Sequence, residues 1–165
     1  MKVVLIAALT ADGFIGRSTN ELPTTWTSDE DRHFFWRTTK EIGVVIMGGN
    51  TFRPIGKALP KRRNIVYSRT PINVEGVETT QEPPADLLRR LEAEGHTQVA
   101  ICGGSKIYDM FLQASLVDEL YLTIEPQLFG AGVPLSVHSS DHKLKLLACT
   151  KLSDDVVLLH YEVTT

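Results

Sequence analysis

Short runs of β-branched and aliphatic residues recur along this chain, at Val3 to Leu9, Val44 to Met47, Asn64 to Tyr67, Gln98 to Cys102, Glu119 to Ile124, Leu144 to Cys149 and Val156 to Tyr161. Each has the length and side-chain type of a buried or half-buried strand. Helical segments lie between the early runs, at Ser28 to Lys40, Thr51 to Gly56, Ala85 to Glu94 and Ser105 to Gln113. Alternation of this kind produces parallel strands joined by crossover helices. The last two runs instead follow one another across Ser153-Asp154-Asp155, which predicts an antiparallel hairpin at one edge. The expectation is an α/β fold on one central, mostly parallel sheet.

Local signals agree with these boundaries. Pro83-Pro84 can open the third helix at its first turn, and Gly95 can close it with a left-handed cap. The segment Thr10 to Thr27 carries neither period. A stretch of that length in a compact domain is normally functional or disordered, and with Gly13, Gly16 and two aromatic residues it reads as a mobile functional loop. At 165 residues the chain fits a single domain, residues 1–165, that buries about two thirds of its unfolded surface.

Composition excludes more than it identifies. With 42% hydrophobic and 22% charged residues and a net charge of −3, there is no case for disorder and little for nucleic-acid binding. The local cluster Lys57, Lys61, Arg62 and Arg63 suits a small anionic ligand better than DNA. Val3 to Leu9 is too short to span a membrane and lacks a cleavage site. Cys102 and Cys149 lie far apart without metal-ligand spacing, so neither a disulfide framework nor a metal site is expected. A cytoplasmic monomer or homodimer is the default.

The helix that begins near Ser28 carries the most chemical information. Thr27 and Glu30 have the spacing of a capping box, which leaves Asp31 free in the first turn. Asp31 and Phe35 share a helix face, with Phe34 and Thr38 close by, so an acid beside an aromatic ring points toward the sheet. A second reading stands beside this one: Asp31 complements the positive helix end, a stabilisation of roughly 0.3 to 1 kcal/mol. Two glycine-containing turns, Met47-Gly48-Gly49-Asn50-Thr51 and Cys102-Gly103-Gly104-Ser105-Lys106, end strands and open helices. Missing side chains there admit a phosphate or flat ring to the backbone, although glycine is often only punctuation. Ser68-Arg69-Thr70 offers a hydroxyl and a guanidinium to a phosphate monoester. His33 and His160 read as structural or surface residues, and a serine hydrolase lacks its GxSxG elbow.

Taken in order, these residues resemble the dihydrofolate reductases over essentially the whole chain. The similarity runs through Leu5-Ile6-Ala7-Ala8, Ile15-Gly16, Trp26, Asp31, Phe35, Val45-Ile46-Met47-Gly48, Thr51-Phe52 and Ile55-Gly56. It continues through Leu59-Pro60, Arg62, Asn64-Ile65, Ser68-Arg69, Gly103-Gly104-Ser105-Lys106-Ile107-Tyr108 and Tyr121-Leu122-Thr123. The resemblance implies a three-layer fold with helices on both faces of the sheet. It also implies NADPH-dependent reduction of 7,8-dihydrofolate to 5,6,7,8-tetrahydrofolate by hydride transfer, in one-carbon metabolism.

Carried over residue by residue, Asp31 binds the pterin amino group and adjacent ring nitrogen, supported by Thr123, while Trp26 positions ligand and solvent. Ile6, Ala7, Phe35, Ile55, Leu59 and Cys102 line the rest of the folate site, and Arg62 holds its terminal carboxylate. Ala8, Ile15 and Gly16 flank the nicotinamide. Gly48, Gly49, Asn50, Thr51, Gly103, Gly104, Ser105, Lys106 and Ile107 hold ribose and pyrophosphate, and Ser68 and Arg69 read the adenosine phosphate. The family places a cis peptide at the Gly-Gly step.

Three positions depart from the family pattern: Gly49 replaces a usual basic residue, Arg32 replaces an apolar one, and Asn20 to Trp26 is slightly long. Thr10 to Ile15, Trp26-Thr27-Ser28 and Glu125 to Gly132 look similar to the aminouracil reductases of riboflavin synthesis. Asp31 with Phe35, and Leu59-Pro60 before Arg62, place folate reduction ahead of that alternative. A non-catalytic nucleotide-binding protein is the third reading.

Overall fold

The computed structural model describes residues 1–138 and 141–164. In chain order these form β1 (Lys2–Thr10), β2 (Phe14–Gly16), a 3-10 turn (Pro23–Thr25), α1 (Asp29–Ile42), β3 (Val44–Gly48), α2 (Gly49–Ile55), β4 (Arg63–Tyr67) and β5 (Val77–Thr80). They continue as α3 (Pro84–Ala93), β6 (Gln98–Ile101), α4 (Ser105–Gln113), β7 (Glu119–Glu125), β8 (Val133–Pro134), β9 (Lys143–Lys151) and β10 (Val157–Thr164). Eight strands make one sheet in the order β5-β4-β3-β6-β1-β7-β10-β9. Pairing is parallel from β5 through β7, and antiparallel where β10 meets β7 and β9.

The continuous apolar runs follow from coverage on both faces. Along β1, Val3, Leu5 and Ala7 point to a cluster with Leu87, Leu91 and Phe111 of α3 and α4. Val4 and Ile6, one residue out of phase, point to Phe34 of α1 and Phe52 of α2. The result is the expected three layers. α3 begins at Pro84, and Gly95 follows its end with φ +96.

Three strands escape the sequence reading. β5 is short and polar, Val-Glu-Thr-Thr, and sits half-buried at the sheet edge beside β4. β2 and β8 pair with each other, so the segment Thr10 to Thr27 is not a structureless loop: it holds the end of β1, β2 and the 3-10 turn. α2 starts at Gly49 rather than Thr51, and β6 stops at Ile101, one residue short of Cys102. Among the described residues no helix is long and apolar enough to cross a membrane.

Candidate active site

α1 is capped by Ser28, which has extended backbone and whose hydroxyl accepts the Asp31 amide at 3.2 Å. The expected Thr27–Glu30 box does not form. The Thr27 amide is engaged in the preceding turn with the Pro23 carbonyl, and Glu30 is exposed. The reciprocal role of that box falls to a distant residue. Glu125, at the end of β7 and 1% exposed, accepts both the Ser28 amide at 2.9 Å and the Ser28 hydroxyl at 2.8 Å. This satisfies the cap's own amide without any helix side chain, so Asp31 is left to face inward.

Asp31 is 8% exposed, on the same buried face of α1 as Phe34. Burial raises its carboxyl pKa to about 6; Thr123 opposes the shift, the Glu125 charge adds to it and Arg32 opposes it. The Thr123 hydroxyl lies near enough to hold the acid down, yet it closes no hydrogen bond of ordinary geometry and is fully buried. Trp26 is buried too, and its Nε1 has no partner. Arg32 turns away from this pocket: its guanidinium binds the Thr24 carbonyl at 2.8 Å and pairs with Asp29.

A second buried charge lies against the far end of the same helix. Arg62 is 8% exposed, lies 4.3 Å above the Trp36 ring and donates to Thr39 Oγ1 at 3.3 Å, while its Nε and Nη2 have no partner. Orphaned buried polar groups are rare in folded chains. Asn64 fixes the turn that presents it: the amide accepts the Leu59 N–H at 2.8 Å and donates to the carbonyls of Leu59 and Arg62 at 2.9 and 2.8 Å. The basic cluster expected here is not one patch. Lys57 and Lys61 are exposed, and Arg63 pairs with Glu78 and Glu94, leaving Arg62 alone facing inward.

Between the two charges, Phe35, Ile55, Leu59 and Cys102 pack half-buried against the cluster that includes Ile6. Burial pushes the Cys102 thiol up to about 12, against the opposing charge of Arg62. Ile6 and Ala7 are buried near the end of β1, and Ala8 is half-buried beside them.

The two glycine turns are joined: the Gly48 amide donates to the Gly103 carbonyl at 2.8 Å, and the Gly103–Gly104 peptide is cis. Side chains cannot enter easily. A Cβ on Gly48 would lie 3.0 Å from Ile107 Cγ1, and one on Gly103 would lie 3.2 Å from the Tyr108 hydroxyl, which itself donates to the Ile6 carbonyl. Thr51 Oγ1 faces Gly104, Asn50 and Lys106 are exposed, and Ser105 donates its hydroxyl to the Pro134 carbonyl. Gly49, half-buried, opens α2 beside Ser68, and Arg69 is exposed just beyond.

The segment after β1 is fastened over this region. Asp12 accepts the amides of Phe129 and Gly130 at 3.1 and 2.7 Å. The Phe129 ring sits 5.0 Å from Trp26, edge on, with the Arg17 guanidinium 4.0 Å over its centre. Ile15 is half-buried and Gly16 buried, both within β2. A Cβ on Gly132 would lie 2.4 Å from the Gly16 carbonyl, so β2 and the β7–β8 connection touch backbone to backbone. In the sequence, Glu125 and Phe129 stand out only as parts of the stretch Glu125 to Gly132.

The family described as dihydrofolate reductase matches residues 2–134. Dihydrofolate reductase type 3 of Salmonella typhimurium is 40% identical over 133 residues, spanning 79% of this chain and 76% of that protein. Dihydrofolate reductase of Haemophilus influenzae is 35% identical over the same length, with the same coverage of each. Among solved structures, a Shewanella sp. PV-4 protein provisionally assigned to riboflavin biosynthesis superposes with a TM-score of 0.84 over all of both chains at 22% identity, a likeness of fold.

Proposed function

The chain belongs to the dihydrofolate reductase family, and on that footing we propose that it reduces 7,8-dihydrofolate to tetrahydrofolate with NADPH, gripping the pterin through Asp31. The buried carboxylate of Asp31, with the orphaned Thr123 hydroxyl beside it, carries this reading, and the buried Trp26 indole just ahead of the same helix is likewise unpartnered.

The residues suit both ligands. A flat heterocycle with an amino group and a ring nitrogen presents two donors to one carboxylate, the geometry that makes charge-assisted pairs strong. Phe35, Ile55 and Leu59 offer an apolar slot for an aromatic linker. Arg62, buried with two nitrogens unmatched, awaits a carboxylate at the far end. For the cofactor, Gly48 and Gly103 let the two joined turns close against Ile107 and Tyr108 of α4, and the backbone of those turns would border the ribose and pyrophosphate.

A bound nicotinamide would supply the hydride. Asp31 does the electrostatic work on the other substrate: ionised for the most part at neutral pH, with its pKa near 6, it favours the pterin in protonated form. Asp31 does not have to transfer the proton itself, because Trp26 borders the pocket where solvent can deliver it. Thr123 would close onto the carboxylate when the pterin is bound, and the segment bearing Ile15 and Gly16 screens the reacting atoms from bulk water.

The test is the absorbance of NADPH with and without dihydrofolate. Oxidation that depends on dihydrofolate, and that falls by about 10²-fold or more in Asp31→Asn, is expected. Full activity in that variant would remove Asp31 from the mechanism. Reduction of a phosphoribosyl aminouracil instead of dihydrofolate would favour the riboflavin-pathway alternative, which needs a phosphate site in place of the carboxylate clamp at Arg62.

A further inference from the structure

We propose that Arg53 reads the adenosine 2′-phosphate of the cofactor, together with Ser68 and Arg69, and so sets the preference for NADPH over NADH. This rests on the cofactor reading above. Arg53 lies outside the motifs that carry the family resemblance, between Thr51-Phe52 and Ile55-Gly56.

Arg53 stands one helical turn after Gly49 on α2 and therefore over the same face. Its Nη2 lies 3.8 Å from the point a Gly49 Cβ would occupy, and Ser68 Oγ, coming from the end of β4, lies at the same distance. A guanidinium and a hydroxyl from two different elements thus converge where the chain has no side chain of its own. The guanidinium is oriented rather than loose, because its Nη1 donates to Asn50 Oδ1 at 2.8 Å. Donation there leaves Nη2 available.

The local charge suits an anion. Among the described residues, neither Arg53 nor Arg69 has a carboxylate within ion-pair distance, in contrast to Arg17, Arg32, Arg63, Arg89 and Arg90; Arg37 and Arg62, which also lack one, lie elsewhere. Arg53 and Arg69 lie on either side of Ser68. A phosphate monoester, carrying nearly two negative charges and three acceptor oxygens, matches a guanidinium pair and a hydroxyl.

The position fits a dinucleotide. From β1, beside which the hydride would pass, the sheet order runs through β6 and β3 to β4. Three strand spacings make about 14 Å, which places Ser68 and Arg53 under the adenosine end of a cofactor whose nicotinamide lies over β1. An uncharged residue at position 49 is then no defect, since the cation arrives from one turn further along.

Calorimetric titration with 2′,5′-ADP and with 5′-AMP tests this without any turnover. The wild-type chain is expected to prefer 2′,5′-ADP. Arg53→Gln should lose roughly tenfold of that preference while its affinity for 5′-AMP stays unchanged, and Arg53→Lys should keep part of it. An unchanged preference in Arg53→Gln overturns the role of Arg53 and leaves the cofactor reading standing. Absence of any preference in the wild-type chain overturns both. Arg53 is exposed, so neither substitution threatens the fold.

Discussion

Glu125 holds the start of α1 through Ser28, accepting both the amide and the hydroxyl of that one residue. The arrangement does two things at once. It caps the helix that carries Asp31, and it places a second carboxylate where its charge raises the Asp31 pKa.

Glu125→Gln keeps an acceptor for Ser28 and removes the charge. The Asp31 pKa should fall below its present value of about 6, and the acidic limb of the pH–rate profile should move to lower pH with it. A limb that stays in place shows that Glu125 acts on the helix alone. Ser28→Ala, by contrast, should cost about 1 kcal/mol of stability through loss of the cap.

Asp31 also makes the fold pH-sensitive. Its carboxyl is raised to about 6 from an ordinary 3.8, so the folded chain holds that proton more tightly than the unfolded chain does. The contribution of the protonated form is fully present below about pH 4 and declines as pH rises toward about 6, leaving a cost of about 3 kcal/mol at neutral pH. Asp31→Asn should therefore be the more stable protein at pH 7 by up to about that amount, with the gap closing in acid. Urea melts at several pH values read this directly; a gap that does not change with pH contradicts the burial of this charge.

The inner face of α1 was legible because it depends on local spacing: residues 31, 34 and 35 fall on one side whatever the helix packs against. The cap was not, because its partner lies 97 residues away in β7 and no periodicity announces it. β2 escaped notice for the same reason, since Phe14 pairs with Pro134 across the chain. The fate of the basic cluster depended on β5, whose Glu78 draws Arg63 aside, and Val-Glu-Thr-Thr is too short and polar to announce itself as a strand.

Arg62 offers a test of substrate recognition. Replacing a buried, half-satisfied cation with an apolar side chain is often neutral or stabilising, so Arg62→Met should fold well. Its KM for dihydrofolate should rise by about 10²-fold, the worth of one or two charge-assisted hydrogen bonds. A dihydropterin without the carboxylate tail should be turned over equally by both proteins. Equal losses on the two substrates would mean that Arg62 does not meet the tail.

Phe129 fastens the segment after β1 through Trp26 and Arg17. Phe129→Ala should cost about 1–2 kcal/mol. Amide exchange over residues 12–17 should quicken, while exchange in β3 and β6 stays as it was. Uniform quickening across the sheet would show that the ring supports the whole fold instead.

Asn64 binds the backbone at both Leu59 and Arg62, so an apolar contact and a cation ride on one stiff template. On the proposed reading, the separation between a ligand's ring and its acidic tail would consequently be measured before anything arrives. Molecules with the wrong spacer would then fail by length, however well either end is made.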